Sequence, residues 1–270
     1  MSPSAHKIAT FLSDFGTGDW FVGVVHGVIL AIAPEAHVVD LNHAVPPGHI
    51  ARGAFILEAA APDFPPGTLH VAVVDPGVGT DRRALAISAR GQLFVGPDNG
   101  LLEWALAAPD ARVHALVEPR WFRTPVSRTF HGRDVFAPVA AHLLLGTALD
   151  AFGPRVTDPV RLPVHPPEQR PGVVIGHVVF IDHFGNALTN VTAATLTEAF
   201  GAAAEDARYE IVALDRRIRG LARSYGDAGE GTLVAILGSS GRLEISQVGG
   251  HAAGRIGLGE GDPVTVRVLT

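Results

Sequence analysis

The run Val71-Ala72-Val73-Val74-Asp75-Pro76-Gly77-Val78-Gly79-Thr80-Asp81-Arg82-Arg83 sets a carboxylate at the end of an apolar stretch and brings two arginines in shortly after it. An apolar, β-branched run bounded by Pro and Gly reads as a buried strand. The loop beyond the carboxyl end of such a strand is where open α/β sheets place their chemistry. A permanent positive charge beside Asp75, from Arg82 or Arg83, would keep it ionised and able to orient a water. A loop salt bridge and a turn aspartate would use the same residue types. In Phe130-His131-Gly132-Arg133-Asp134, a neutral His131 can relay a proton near pH 7 or simply hydrogen-bond at a helix entry, where Asp134 suits a cap. Asp14 and Asp19 flank a loop of small residues. A carboxylate there can accept from two vicinal hydroxyls, as in ribose recognition, or serve as a cap and turn.

Two later segments suit recognition rather than proton transfer. Phe180-Ile181-Asp182-His183-Phe184-Gly185-Asn186 combines a ring for stacking with a carboxylate and amides, and would equally make a β-turn. Gly238-Ser239-Ser240-Gly241-Arg242-Leu243-Glu244 is a hydroxyl-rich turn feeding a strand. Asp14, Asp40, His43, Asp75, His131 and Asp182 could converge on a metal, but no compact ligand pattern such as His-Glu-x-x-His is present.

Absent residue types narrow the chemistry further. With no cysteine there is no disulfide, thiol nucleophile or zinc–thiolate site. Lys7 is the sole lysine, which removes Schiff-base, phosphate-loop and kinase-type lysines, so Asp14-Phe15-Gly16 is no kinase motif. Carboxylates, histidines, arginines and backbone groups must do the work. A composition of 47% hydrophobic and 18% charged residues indicates a globular fold. The net charge of −6 offers no footprint for nucleic acid and suits a cationic small ligand as well as ordinary solubility. No apolar run is long enough to span a bilayer, the N-terminus lacks a signal-peptide core, and a cytoplasmic location is expected.

The elements that must hold these residues follow from periodicity. Strands are expected at Ile8–Ser13, Val38–Leu41, Leu69–Val74, Leu85–Ser88, Gln92–Val95 and Val113–Val117. Helices are expected from Phe21 to near Pro34 and over Ile50–Ala61, Leu101–Ala107 and Val135–Leu145. This alternation predicts an N-terminal α/β domain over residues 1–155, its central sheet flanked by helices. Residues 156–171 are proline-rich and read as a linker. Residues 172–270 then show short strands at Val173–Ile181, Leu188–Val191, Tyr209–Leu214, Thr232–Leu237, Arg242–Gln247 and Val264–Leu269, which predicts a smaller β-barrel domain.

Taken in order, Ser13-Asp14-Phe15-Gly16, Val74-Asp75-Pro76-Gly77-Val78-Gly79-Thr80, Gly96-Pro97-Asp98-Asn99-Gly100, Thr129-Phe130-His131-Gly132-Arg133-Asp134, Asp182-His183-Phe184-Gly185-Asn186 and Gly238-Ser239-Ser240-Gly241 span nearly the whole chain. The ordered set resembles the S-adenosyl-L-methionine hydroxide adenosyltransferase family, relatives of the fluorinase and chlorinase. The resemblance implies hydrolysis of S-adenosyl-L-methionine, as substrate and not as cofactor, to adenosine and L-methionine. It implies homotrimers with each site between one subunit's N-terminal domain and a neighbour's C-terminal domain. It places an Asp–Arg–His relay on Asp75, Arg82 and His131, with Arg83 in reserve, and a ribose carboxylate on Asp14. Asp19 and Phe130 fall on the same substrate-facing segments. Asp182, Phe184 and Asn186 fall on the segment that contacts the methionine end and the purine, and Tyr225 matches the residue that stacks on adenine. Ser240, Glu244, Val248 and Gly249 complete the C-terminal contacts. The halogenases lack an aspartate at the position of Asp75 and carry a serine where this chain has Gly132, so both differences point to water. A halogenase, a non-catalytic nucleoside-binding protein and a metal-dependent hydrolase are the alternatives.

Overall fold

In the computed structural model, which describes residues 7–201 and 208–269, the first apolar run forms strand β1 (Ile8–Ser13), buried from Ala9 to Ser13. Helix α1 (Phe21–Ile32), β2 (His37–Asn42), α2 (Ile50–Ala60), β3 (Leu69–Val73), β4 (Ala84–Ala89), β5 (Gln92–Pro97), α3 (Glu103–Leu106), β6 (Arg112–Ala115) and α4 (Ala137–Leu144) follow. The strands make one six-stranded sheet of order β2-β1-β3-β5-β4-β6. β2, β1, β3 and β5 run parallel, while β4 is antiparallel to both β5 and β6. The chain leaves β1 for β2 on one side and returns to β3 on the other. This reversal of strand order falls between β1 and β3, the place where open α/β sheets put their binding crevice, and Ser13 there stands opposite Val73. Asp14 and Asp75 leave the sheet there, side by side.

Two apolar layers hold this sheet. Val25 and Ile29 of α1 and Val139, Ala140 and Leu143 of α4 pack with Phe11, Val71 and Val73 on one side. Leu57 of α2 with Leu101 and Leu106 packs with Leu12, Ala72 and Phe94 on the other. The hairpin between β4 and β5 turns on Arg90 and Gly91, both with positive φ, as a tight two-residue turn requires.

Helix α4 differs from expectation at its start. A wide turn over Gly132–Phe136 precedes it, with the Ala137 N–H bonded to the Gly132 carbonyl. Pro138 has no N–H to give and crowds the carbonyl four residues back, so the wider turn relieves a clash. The Asp134 carbonyl accepts from Arg123 N–H instead. Asp134 is thus no helix cap. Its carboxylate accepts from Ser127 N–H and from Arg133.

The described contacts divide the chain into two compact units, Met1–Pro163 and Val164–Thr270. In the second unit, β7 (Glu168–Arg170), β8 (Val173–Ile181), β9 (Ala187–Thr192), α5 (Ala193–Phe200), β10 (Tyr209–Ala213), β11 (Arg216–Arg219), β12 (Leu233–Leu237), β13 (Arg242–Gln247), α6 (Ala252–Ile256) and β14 (Pro263–Val268) are formed. They build an antiparallel sheet of order β11-β10-β14-β8-β9-β13-β12, with β7 alongside β8. Ala222, just past β11, bridges Ile236 in β12 and brings the two ends of the sheet together, so the unit is a nearly closed barrel. Val174, Val191, Tyr209, Ile211, Ile245 and Val266 fill it. Sequence reading missed β7, β11, α5 and α6. The α5 signals are nevertheless local: Thr192 and Thr195 form a capping box, and Gly201 ends the helix with φ 66°.

His70 gives the first unit an acid limit. Its ring is fully buried on β3, bonded to Thr10 at 2.7 Å and stacked on Phe94. Burial pushes its pKa down from 6.5 to about 4. The unfolded chain therefore takes this proton first as pH falls. The stability from a neutral His70 is complete above pH ~6.5 and lost by pH ~4, a swing of about 3 kcal/mol. In melting curves recorded between pH 7 and pH 4, His70→Phe is expected to show a shallower decline than the wild type. Parallel curves would refute this.

Candidate active site

The loop after β3 folds back on itself. Val78 N–H bonds to the Asp75 carbonyl and Thr80 N–H to the Gly77 carbonyl, making two successive turns. Gly79 permits the second, with φ 77°, and a Cβ there would collide with the Arg128 carbonyl. The turns return Arg82 to Asp75. Arg82 Nε lies 2.9 Å from Oδ1 and 3.1 Å from Oδ2, and Nη2 also bonds Oδ2. The Asp75 and Arg82 side chains are only 5% and 10% exposed, so the pair is nearly dry. Asn99, on the loop after β5, donates from Nδ2 to the Val74 carbonyl at 2.9 Å and fixes the backbone just ahead of Asp75.

Arg82 Nη2 also reaches His131 Nδ1 at 2.8 Å. Arginine can only donate, so Nδ1 is the acceptor and the ring proton of neutral His131 sits on Nε2. Burial and then the Arg82 charge hold the His131 pKa below the usual histidine value, against the pull of Asp75 and Asp134. The Phe136 ring lies 5.4 Å from the guanidinium. A cleft of about 380 Å³, bordered by Val117, Phe122, Val126 and Val135, reaches Arg82 and His131. Arg83 turns elsewhere, to Asp98 at 2.6 Å and Asp158 at 2.8 Å.

Asp14 Oδ2 accepts the Gly48 N–H at 2.8 Å. A Cβ at Gly48 would stand 3.6 Å from Pro76, so the Asp14 and Asp75 loops are packed together through that glycine. Phe130 meets Phe15 and Phe21 edge-on at 5.9 and 5.3 Å. A Cβ at Gly132 would lie 3.2 Å from the Phe15 ring and 3.4 Å from Phe130. An apolar wall thus stands where a serine would need space. Asp19 lies on the exposed part of its loop, with no hydrogen bond among the described residues.

In the second unit, Asp182 closes a tight turn. Oδ1 accepts from Phe184 N–H and Asn186 N–H, and Oδ2 from Asn186 Nδ2 at 2.9 Å. Gly185, with φ 84°, lies against the His251 ring, where no Cβ would fit. Phe184 is left 72% exposed at the tip. Tyr225 donates to Glu244 Oε2 at 3.2 Å. Burial pushes the Glu244 acid up, with the Asp182 carboxylate adding to the rise and the Tyr225 bond opposing it. Ser240 is exposed on its turn. Both backbone groups of Val248 are committed, to Gly231 N–H and the Thr232 carbonyl, while Gly249 is exposed with φ 64°.

Within the first unit the structure joins Asp75, Arg82 and His131 directly and sets Asp14 on an adjoining loop, linked to the Asp75 loop through Gly48 and Pro76. Within the second it groups Asp182 with Asn186 and Tyr225 with Glu244. Asp19, Ser240 and Phe184 stand apart as exposed side chains. Of the residues considered for a metal, Asp40 and His43 contact each other, and the seat between Asp75 and His131 is filled by a guanidinium. Asn99 was overlooked as a positioning residue. Its place beside Gly100 in a turn is the available signal, but its partner is the Val74 carbonyl just past β3, distant in sequence.

A family model described as the SAM hydroxide adenosyltransferase N-terminal domain matches residues 9–153, and one for the C-terminal domain of the same family matches residues 176–265. The chain is 42% identical over 262 residues to a protein of Salinispora arenicola named (R)-S-adenosyl-L-methionine hydrolase, covering 95% of this chain and 96% of that one. A Thermus thermophilus protein of the same name is 43% identical over 265 residues, covering 94% and 97%. A Nocardia brasiliensis fluorinase is 28% identical, covering 97% of each chain. An uncharacterized conserved protein of Thermotoga maritima, known as a crystal structure, superposes with a TM-score of 0.90 at 34% identity, covering 96% of this chain and 99% of that one.

Proposed function

The chain belongs to the SAM hydroxide adenosyltransferase family, and from that premise we propose that it hydrolyses S-adenosyl-L-methionine to adenosine and L-methionine. The names of its relatives specify the R configuration at sulfur, and we extend that preference to this chain. The single observation that carries the water reading is the dry Asp75–Arg82 pair joined to His131, on a loop that packs through Gly48 against the loop of Asp14.

In this reading Asp14 holds the ribose hydroxyls and presents C5′ to Asp75. Asp75 keeps one Oδ1 lone pair free of Arg82 and directs a water at C5′. The water oxygen bonds to C5′ as the C5′–S bond breaks, and its electron pair returns to sulfur, giving neutral thioether methionine. One proton leaves the water. His131 cannot accept it at Nδ1, which Arg82 occupies, and Nε2 already carries the ring proton. We therefore assign the proton to Asp75 and a positioning role for Arg82 to His131, in place of a relay through the imidazole. Attack by a hydroxide-like water on a sulfonium cancels charge, a change favoured in a water-poor site. Direct displacement inverts C5′. A sulfonium is already a good leaving group, so neither a resident metal nor a cofactor is required. The same reading places substrate recognition by Asp182, Phe184, Asn186, Tyr225 and Glu244 on a neighbouring subunit of a homotrimer, and the protein in the cytoplasm.

Chromatography of S-adenosyl-L-methionine incubated with purified protein tests this. Adenosine and methionine in equal amounts are expected, unchanged by a chelator or by added chloride. Formation of 5′-chloro-5′-deoxyadenosine would instead identify a halogenase. Tight adenosine binding without methionine release would identify a nucleoside-binding protein, and loss of activity on chelation a metal-dependent hydrolase.

A further inference from the structure

Ser13, the last residue of β1, is fully buried, yet its hydroxyl has two polar partners. Oγ lies 2.7 Å from His43 Nδ1 and accepts the Phe15 N–H at 3.3 Å. His43 holds the same turn a second time, since its carbonyl accepts the Gly16 N–H at 2.8 Å. A register shift between Phe11 and Leu12, where β1 meets β2, leaves Leu12 opposite Asn42 and brings His43 beside Ser13. The side chain is 3% exposed and its ring packs 4.8 Å from Phe11. Its Nε2 lies 2.9 Å from Asp40 Oδ1, an electrostatic contact off the hydrogen-bond line, and Asp40 also binds His26 at 2.8 Å.

A serine, a histidine and an aspartate in this order suggest a nucleophile, but a hydroxyl with no exposure cannot meet a substrate. What the network does reach is the turn itself. Asp14 and Phe15 stand between its two anchor points, at Ser13 and Gly16. The Asp14 carboxylate is held only by Gly48 among the described residues, so its direction is set by the backbone that Ser13 and His43 fix. The Phe15 ring, on the same turn, lines the wall at Gly132 and Phe130.

We propose that Ser13 and His43 are positioning residues that hold the Asp14–Phe15 turn in its ribose-binding shape, the Ser13 hydroxyl donating to His43 Nδ1 while accepting from Phe15. The inference rests on Asp14 as the ribose ligand.

Calorimetric binding of adenosine, which needs no turnover, tests it as a double-mutant cycle. Ser13→Ala is expected to weaken adenosine about five- to tenfold, as loss of an orienting hydrogen bond would. Asp14→Ala is expected to weaken it about thirtyfold, and the double variant no more than Asp14→Ala alone. His43→Asn, whose amide oxygen can replace Nδ1, is expected to bind near the wild-type level, and His43→Leu to match Ser13→Ala. In turnover, Ser13→Ala should raise KM for S-adenosyl-L-methionine by the same factor and leave kcat within about twofold. Wild-type affinity in a folded Ser13→Ala protein, or penalties that multiply in the double variant, would overturn the inference while leaving the hydrolase reading intact. No adenosine binding by the wild type, or none lost in Asp14→Ala, would overturn the inference together with the ribose role of Asp14, and loss of the hydrolase reading itself would show as absent adenosine and methionine in the chromatography.

Discussion

Asp75→Ala is expected to lower kcat for S-adenosyl-L-methionine hydrolysis by about a hundredfold or more, the range for a positioned acid–base group. KM should move by less than about threefold, because Asp14, proposed as the ribose carboxylate, and the recognition residues proposed in the second unit are untouched. Asp75→Asn makes the stricter comparison. It keeps the shape but can neither accept the water's proton nor balance Arg82, and it should fall as far as alanine. Both variants leave a guanidinium only 10% exposed without its partner, and breaking a buried pair costs about 3–5 kcal/mol. Rates must therefore be compared below the lowered melting transition, with folding checked by circular dichroism. A folded Asp75→Asn protein retaining more than about a tenth of the wild-type kcat would sink the assignment of Asp75 as the group that takes the proton.

Arg82→Ala should be as damaging, for a different reason. Arg82 touches Asp75 and His131 at once, so its loss frees both side chains and leaves an almost fully buried carboxylate unpaired. Activity is expected to drop about a hundredfold, and the melting temperature by roughly 10 °C for a chain of this size. Lysine cannot replace it, because one ammonium cannot present a planar fork to a carboxylate and an imidazole together. Arg83→Ala is the control. Its partners Asp98 and Asp158 lie outside the Asp75 contact, and kcat should stay within about threefold. Equal losses at both positions would show that the loop's overall order, not the Asp75 contact, is what matters. The pH profile carries a related expectation. Protonating His131 would set its Nδ1–H against an Arg82 N–H, so activity should fail once this ring charges. Because burial and Arg82 hold its pKa down, that acid limb is expected below the ordinary histidine range.

Most of the secondary structure was legible from local signals. β1, β8 and β13 match the expected spans residue for residue, because each is an apolar stretch bounded by Gly, Pro or polar turns. The start of α4 was not legible. Its wide first turn answers a clash that Pro138 creates with a carbonyl four residues back. Helices α5 and α6 lay in a glycine-rich, strand-dominated stretch, where that context masked good capping signals.

Residue types alone determined the kind of chemistry. With no cysteine and one lysine, only carboxylates, imidazoles, guanidiniums and backbone were left, and an aspartate after a buried strand pointed to an oriented water. Tertiary structure decided which groups meet. Arg82 and Arg83 are equivalent as neighbours in sequence, yet side chains on extended backbone alternate, and the turn at Gly79 sends one to Asp75 and the other to Asp98. The His131 tautomer is likewise set through space, by a donor forty-nine residues away. The adjacency of the Asp14 and Asp75 loops depends on β1 and β3 being neighbours, which follows from where the chain reverses direction across the sheet. Local patterns specify elements and chemical types because their causes lie within a few residues. Partners, tautomers and dryness come from contacts between distant segments, and those exist only once the sheet has formed.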